Sequence, residues 1–312
     1  MPNTTHMRIP SNRVRDIERY FHTTLADLYP DREIGAFVDI LFDAYLGWNK
    51  AQLLLHRDDT VNQSDLLRFH WAAEDLKQYC PIQYIVGHTD FCGLRLHVEP
   101  GVLIPRPETE EIVNHITSPL ERDATQWRGM SAPSTILDLC TGSGCIALAL
   151  ASHFRNAEVF GVDISPQALA IAEANATASR LHVSFVQCDI LHQEPPLPHS
   201  TFDLIVSNPP YVCDSERAIM SPNVLDHEPS LALFVPDDDP LRFYRAIGQY
   251  ASRHLSHNGV LVLEINEHLG NETCQLLQQL GFSTTLHRDF RDKYRSITAH
   301  KTLNSQFSIL NS

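Results

Sequence analysis

No stretch of the 312 residues approaches the ~18 consecutive apolar residues that cross a bilayer. The segment Met1 to Ser11 is polar and lacks an apolar export core, which predicts a cytoplasmic protein. Basic residues are scarce. Lys and Arg total 24 against 38 Asp and Glu, a formal charge of -14, and that balance argues against duplex DNA or bare RNA as the main partner. Seven cysteines, an odd number without C-x-x-C spacing and partly inside apolar runs, imply neither a disulfide framework nor a zinc site. No metal is expected. The 17 histidines are dispersed, and none is assigned a catalytic role. What remains is an ordinary globular composition, 43% hydrophobic, long enough for two cores.

The most informative stretch is Ser207-Asn208-Pro209-Pro210-Tyr211, directly after the apolar run Phe202 to Val206. Two prolines stiffen the loop and contribute no N–H, so Pro209 and Pro210 present carbonyl oxygens. Asn208 adds a side-chain acceptor, and Tyr211 an aromatic face for a flat group. Acceptors outnumber donors, which suits an –NH2 group: two acceptors would orient the nitrogen and draw its lone pair toward an electrophile. A Pro-Pro pair after a strand is more often a simple strand terminator. Here it closes a strand of a nucleotide-type sheet, where ligands sit beyond the carboxyl ends.

Along the chain, residues 12–80 read as a helical domain. Ile34, Phe37, Val38, Leu41 and Tyr45 fall at helical spacing, and a further helix runs from Ser64 to about Gln78. Residues 81–104 read as a linking β-hairpin, with strands at Tyr84 to Gly87 and Phe91 to Val98. Glu108 opens a helix to about Ile116, and 118–134 reads as a surface loop. The part from 105 to 301 alternates strands and helices. Strands are predicted at Thr135–Leu139, Glu158–Val162, His182–Gln187, Phe202–Val206, Val260–Ile265, Ser283–His287 and Tyr294–His300. The last two are joined only by Arg288 to Lys293, so they form a hairpin and put one antiparallel strand into a parallel sheet. Seven strands with a final reversed one resemble the Rossmann-like methyltransferases, so the expected fold class is α/β, a Rossmann-like seven-stranded methyltransferase domain behind a small helical N-terminal domain. Residues 302–312 read as a tail.

Within this frame Ile136 to Gly144 runs from a strand into a small-residue turn, Cys140-Thr141-Gly142-Ser143-Gly144, and then into a helix. By itself this pattern serves dinucleotides and flavins as well. Three acidic residues favour S-adenosyl-L-methionine. Asp138 would take a methionine ammonium and repel a pyrophosphate. Asp163, closing the next strand, would accept from ribose hydroxyls. Asp189 would accept from an adenine amino group, with Ile190 covering the ring. A single Asp at a strand end is usually a turn or cap residue; three after successive strands are not explained that way. Leu225 to Pro229 and Asp237 to Asp239 look like metal-rich text, but acidic residues beside prolines are commonly solvated loop positions.

Pro81 to Gly87, Val102 to Glu110, Asp138 to Gly144 and Ser207 to Tyr211 together resemble the release factor glutamine methyltransferases, the HemK or PrmC family. The resemblance spans about residues 25 to 300. It implies transfer of a methyl group to the side-chain amide nitrogen of the glutamine in the Gly-Gly-Gln motif of class 1 peptide chain release factors, a modification of translation termination. It also implies cofactor contacts from Cys140 to Gly144, Asp163, Ile190 and Asn208, and a glutamine site from Asn208 to Tyr211. Cys140 stands where many members have glycine, and Ile190 where relatives often carry a larger aromatic residue. Two rival substrates stay open: a glutamine of a large-subunit ribosomal protein, and an exocyclic amine of a flipped base, which the net charge disfavours. A third reading, a non-catalytic binding protein, sits poorly with the intact motifs.

Overall fold

The computed structural model describes residues 11–118 and 132–302. They divide into two compact units, one of residues up to Gly87 together with Ser221–His227, the other of His88–Met220 and Glu228 onward. The loop expected at 118–134 lies largely, and the tail almost wholly, outside the described residues.

The first unit is a helical bundle of Val14–Leu25, Asp31–Leu46, Lys50–Leu55, Gln63–Lys77 and Ile82–Val86. Side chains set the starts of two of these helices. Asn49 accepts from the Gln52 N–H in a capping box, and Asn62 accepts from the Asp65 N–H. The buried faces meet in an aromatic centre: Phe69 packs edge-on against Phe21 and lies 4.5 Å, ring to ring, from Phe42. The last helix corrects the strand expected at Tyr84 to Gly87. Ile82, Ile85 and Val86 fall three and four apart, so one helical turn turns all three toward the bundle core, which alternation could not do.

The second unit opens with the hairpin β1 (His88–Phe91) and β2 (Leu94–His97), shorter and later than the one predicted. Its two-residue turn, Cys92-Gly93, has positive φ at both positions, as a tight hairpin of this twist requires. After the helix Pro107–Thr117 come β3 (Thr135–Leu139), β4 (Glu158–Asp163), β5 (Ser184–Gln187), β6 (Phe202–Ser207), β7 (Val212–Cys213), β8 (Phe234–Val235), β9 (Leu255–Glu264), β10 (Phe282–Arg288) and β11 (Tyr294–Lys301). Seven of them form one sheet in the order β10-β11-β9-β6-β3-β4-β5, with β11 antiparallel to both its neighbours. This is the predicted α/β sheet with its one reversed strand.

Strand alternation divides the core. Ile136, Leu204 and Val260 face the helix Cys145–His153, while Leu137, Ile205 and Leu261 face Arg242–His254 and Gly270–Gln279. The chain leaves β3 toward β4 and β5, then returns to β6 on the other side. That reversal opens a crevice at the carboxyl ends of β3 and β6, the usual ligand position in such sheets.

One half-buried contact gives the sheet a pH dependence. His287 on β10 lies 4.7 Å, ring to ring, from His115, and its Nε2 is 2.9 Å from Thr298 Oγ1. Burial, with His115 adding to it, pushes the His287 pKa down from 6.5 to about 4. Protons then bind the unfolded chain more readily, so this contribution is complete above pH 6.5 and is lost as the pH falls toward 4. Denaturant midpoints measured across that range should fall more steeply in the wild type than in His287→Gln.

Candidate active site

At the crevice a cavity of about 520 Å³ is lined by residues from the ends of β3, β4, β6 and the segments that follow them. Cys140, Thr141, Gly142, Ser143, Asp163, Asp189, Ile190, Asn208 and Pro210 all face it. Asp138, Gly144, Pro209 and Tyr211 stand outside that lining, and three of them brace it.

Asp138 is fully buried because alternation along β3 turns it under the helix Cys145–His153. Its Oδ2 accepts from Thr141 Oγ1 at 2.5 Å and from the Ala147 N–H at 3.2 Å, tying both ends of the turn to the strand. Among the described residues Oδ1 has no hydrogen-bond partner, and Ser143 lines the cavity with its hydroxyl buried beside the Cys145 thiol. Burial pushes the Asp138 carboxyl up to about 7. Gly144 brings the helix against its neighbours: a Cβ there would sit 3.1 Å from Ala172 Cβ. At Gly142 a Cβ would meet nothing within 4 Å, so the backbone there is open to a ligand. Cys140 also adopts positive φ, 60°, a conformation that glycine takes with less strain than a residue bearing a Cβ.

Asp163 holds the other side of the loop. Its Oδ2 accepts from the Gly142 N–H at 2.8 Å and its Oδ1 from the Ser165 N–H at 2.9 Å. Each oxygen keeps a lone pair for a further donor. Burial raises its pKa. Asp189 Oδ1 accepts from the Leu191 N–H at 3.0 Å, making a local turn that presents Ile190 to the cavity.

The acceptor loop after β6 is fixed at both ends by one carboxylate that sequence reasoning passed over. Asn208 Nδ2 donates to Thr109 Oγ1 at 3.1 Å, Thr109 donates to Glu264 Oε2 at 2.6 Å, and the Tyr211 hydroxyl donates to Glu264 Oε1 at 3.0 Å. Tyr211 is thus anchored through its phenol, and burial raises that phenol's pKa well above the usual value. Its carbonyl accepts from Asn266 Nδ2, whose second contact is Glu216.

A strap closes the far side. Glu228 is buried in a structural role: it accepts from the Ile104 N–H at 3.1 Å and pairs with the Arg106 guanidinium. Behind it Pro229, Leu231, Ala232 and Phe234 line the cavity, and β8 pairs with β7 directly after Tyr211. The rigid Pro105-Arg106-Pro107 phrase was the one sequence signal for this wall.

A sheet of this topology, with a glycine turn and an acidic residue at successive strand ends, defines an S-adenosyl-L-methionine-dependent methyltransferase. A methyltransferase domain model matches residues 136–221, and a PrmC N-terminal domain model matches 20–87. The release factor glutamine methyltransferase of Flavobacterium psychrophilum is 41% identical over 91% of this chain and 98% of its own length. Its namesake from Bacteroides thetaiotaomicron is 37% identical over 91% and 99%. The chain belongs to the release factor glutamine methyltransferase family. Among solved structures, a ribosomal protein L11 methylase from Lactobacillus delbrueckii subsp. bulgaricus superposes with a TM-score of 0.44 at 20% identity, covering 66% of this chain and 84% of that one.

Among the described residues no helix is long and apolar enough to cross a membrane.

Proposed function

We propose that this enzyme methylates the N5 amide nitrogen of the Gly-Gly-Gln glutamine in class 1 peptide chain release factors, in the cytoplasm. The observation that carries the reading is the orientation of Asn208. Thr109 has one hydroxyl proton and gives it to Glu264, so it can only accept from Asn208. The amide nitrogen of Asn208 is thereby committed to Thr109, and its oxygen is left for the cavity that the residue lines.

We assign the two N–H bonds of a primary amide to that oxygen and to the carbonyl of Pro209, the next residue of the stiff loop, which itself stands outside the cavity lining. Tyr211 and Pro210 complete the glutamine site. The cofactor fits the rest of the cavity by its donor set. The open backbone at Gly142 admits it, the spare lone pairs of Asp163 suit ribose hydroxyls, and Ser143 lines the cavity. Cys140, Thr141 and Gly144 shape the turn, while Asp189 and Ile190 suit the adenine. When bound, S-adenosyl-L-methionine supplies an electrophilic methyl group on a sulfonium, which leaves as a neutral thioether. The protein's own part is positional: Asn208 and Pro209 hold the amide hydrogens in place so that the nitrogen lone pair turns toward the methyl. The nitrogen then sheds a proton made acidic by methylation, so a strong general base is unnecessary.

Asp138 is the carboxylate beneath the cofactor turn; it lies outside the cavity lining, so its charge acts on the methionine ammonium through that turn rather than by direct contact. Because an ammonium favours the ionised carboxylate and Asp138 titrates at about 7, cofactor affinity measured by calorimetry should weaken as the pH is lowered below about 7. Asp138→Asn should remove that dependence.

The direct test is methyl transfer from labelled S-adenosyl-L-methionine to a purified class 1 release factor, beside a factor with its Gly-Gly-Gln glutamine replaced. Label on the native factor alone is the expected result. Label on neither, with cofactor bound normally, would overturn the substrate assignment.

A further inference from the structure

We propose that Glu264 is the positioning residue of the methyl-acceptor site. Acting through Thr109 it sets which face of the Asn208 amide meets the substrate, and acting through Tyr211 it pins the other end of the same loop. The proposal rests on the reading of Asn208 to Tyr211 as the amide-binding loop.

Glu264 is 1% exposed at the end of β9, which lies beside β6 in the sheet. Thr109 is as deeply buried, on the helix Pro107–Thr117. Three separate segments therefore converge on one carboxylate: β9 itself, that helix, and the loop after β6. Each carboxylate oxygen lies within hydrogen-bond distance of a hydroxyl, Thr109 Oγ1 at 2.6 Å and the Tyr211 phenol at 3.0 Å; burial raises the Glu264 pKa, and these two hydroxyls act against that shift, in favour of the carboxylate. Arg295, half-buried nearby, supplies the countercharge that makes ionisation tolerable in a buried site; its guanidinium also donates to Asp289 at 3.1 Å and lies 3.9 Å from Glu267.

The hydrogen count then fixes polarity along the relay. An ionised Glu264 can only accept, so the Thr109 proton points to it. Thr109 can then only accept from Asn208, so the Asn208 oxygen points away. Changing the first member reverses the last. With Gln at 264, an amide N–H can donate to Thr109, whose proton then turns to the Asn208 oxygen, and the side chain presents donors to a substrate that also offers donors.

Three variants read this out: Thr109→Val removes the hydroxyl at nearly constant volume, Thr109→Ser keeps it, and Glu264→Gln reverses it. The expected result is a fall in kcat of about a hundredfold for Thr109→Val and for Glu264→Gln, the scale of a misplaced reacting group. Thr109→Ser should stay within about threefold of wild type, because it retains the one proton the relay uses. Cofactor affinity should be unchanged in all three. A second readout needs no substrate: the Asn208 side-chain N–H protons, followed by NMR exchange, should be protected in wild type and Thr109→Ser and exposed in Thr109→Val. Unprotected Asn208 protons in the wild type, wild-type kcat in Thr109→Val, or equal losses in the Val and Ser variants would overturn the proposal. Protected protons in a wild type that leaves release factor unlabelled would instead overturn the substrate assignment and leave the relay standing.

Discussion

Asn208→Ala is expected to lower kcat for methyl transfer about a thousandfold while cofactor affinity changes by less than about tenfold. The site supplies geometry rather than a strong base or a covalent nucleophile, so the loss falls on orientation and on charge stabilisation. Deleting one preorganised hydrogen-bonding group of this kind typically costs ~10²–10³ in kcat, and an ångström of misplacement a further ~10². Asn208→Asp is the sharper comparison, because it preserves shape. Its carboxylate would meet the Thr109 oxygen, whose single proton already goes to Glu264, so acceptor would face acceptor. Asn208→Asp should therefore be no better than Asn208→Ala. Single-turnover rates with saturating cofactor check both, and a near-wild-type rate in either variant would remove Asn208 from the acceptor role.

Asp163→Ala should weaken cofactor binding by at least about a hundredfold. Each oxygen of Asp163 holds a backbone N–H, one from the turn after β3 and one from the turn after β4, and hydrogen bonds to a charged group contribute about 1.5–3 kcal/mol apiece. The alanine variant loosens both turns and also loses the ribose acceptors proposed for Asp163, and a hundredfold corresponds to about 2.7 kcal/mol. Asp163→Asn keeps one good acceptor and should fall between. Calorimetric titration of each variant decides it: affinity within threefold of wild type in Asp163→Ala would mean that the turn holds its shape unaided.

Much of this was legible from residue order. The apolar strand runs, the strand-end acids and the short link between β10 and β11 carry the sheet and its reversed strand, because strand burial and hairpin closure are local properties of the chain. The Ile82–Val86 helix was missed because five residues are too few for periodicity to outvote a neighbouring hairpin. Thr109 and Glu264 were missed for a different reason. Glu264 ends an apolar strand run and looks like any strand-end polar residue; its importance arises only when β9 lies beside β6 and a distant helix delivers a hydroxyl to it. The particular partner of Glu228 was not legible, since nothing in Asp226-His227-Glu228-Pro229 says that Arg106, far away in the chain, will pair with it.

The polarity proposed for Asn208 would also make the site a reader of chemical integrity. Glutamine and glutamate have the same shape, and differ in whether the terminal group offers hydrogens or lone pairs. A loop that presents oxygens alone is attractive to an intact amide and repulsive to the carboxylate left when that amide hydrolyses. A deamidated target would be turned away at recognition, before any chemistry, so the methyl mark would be placed only on side chains that have not aged.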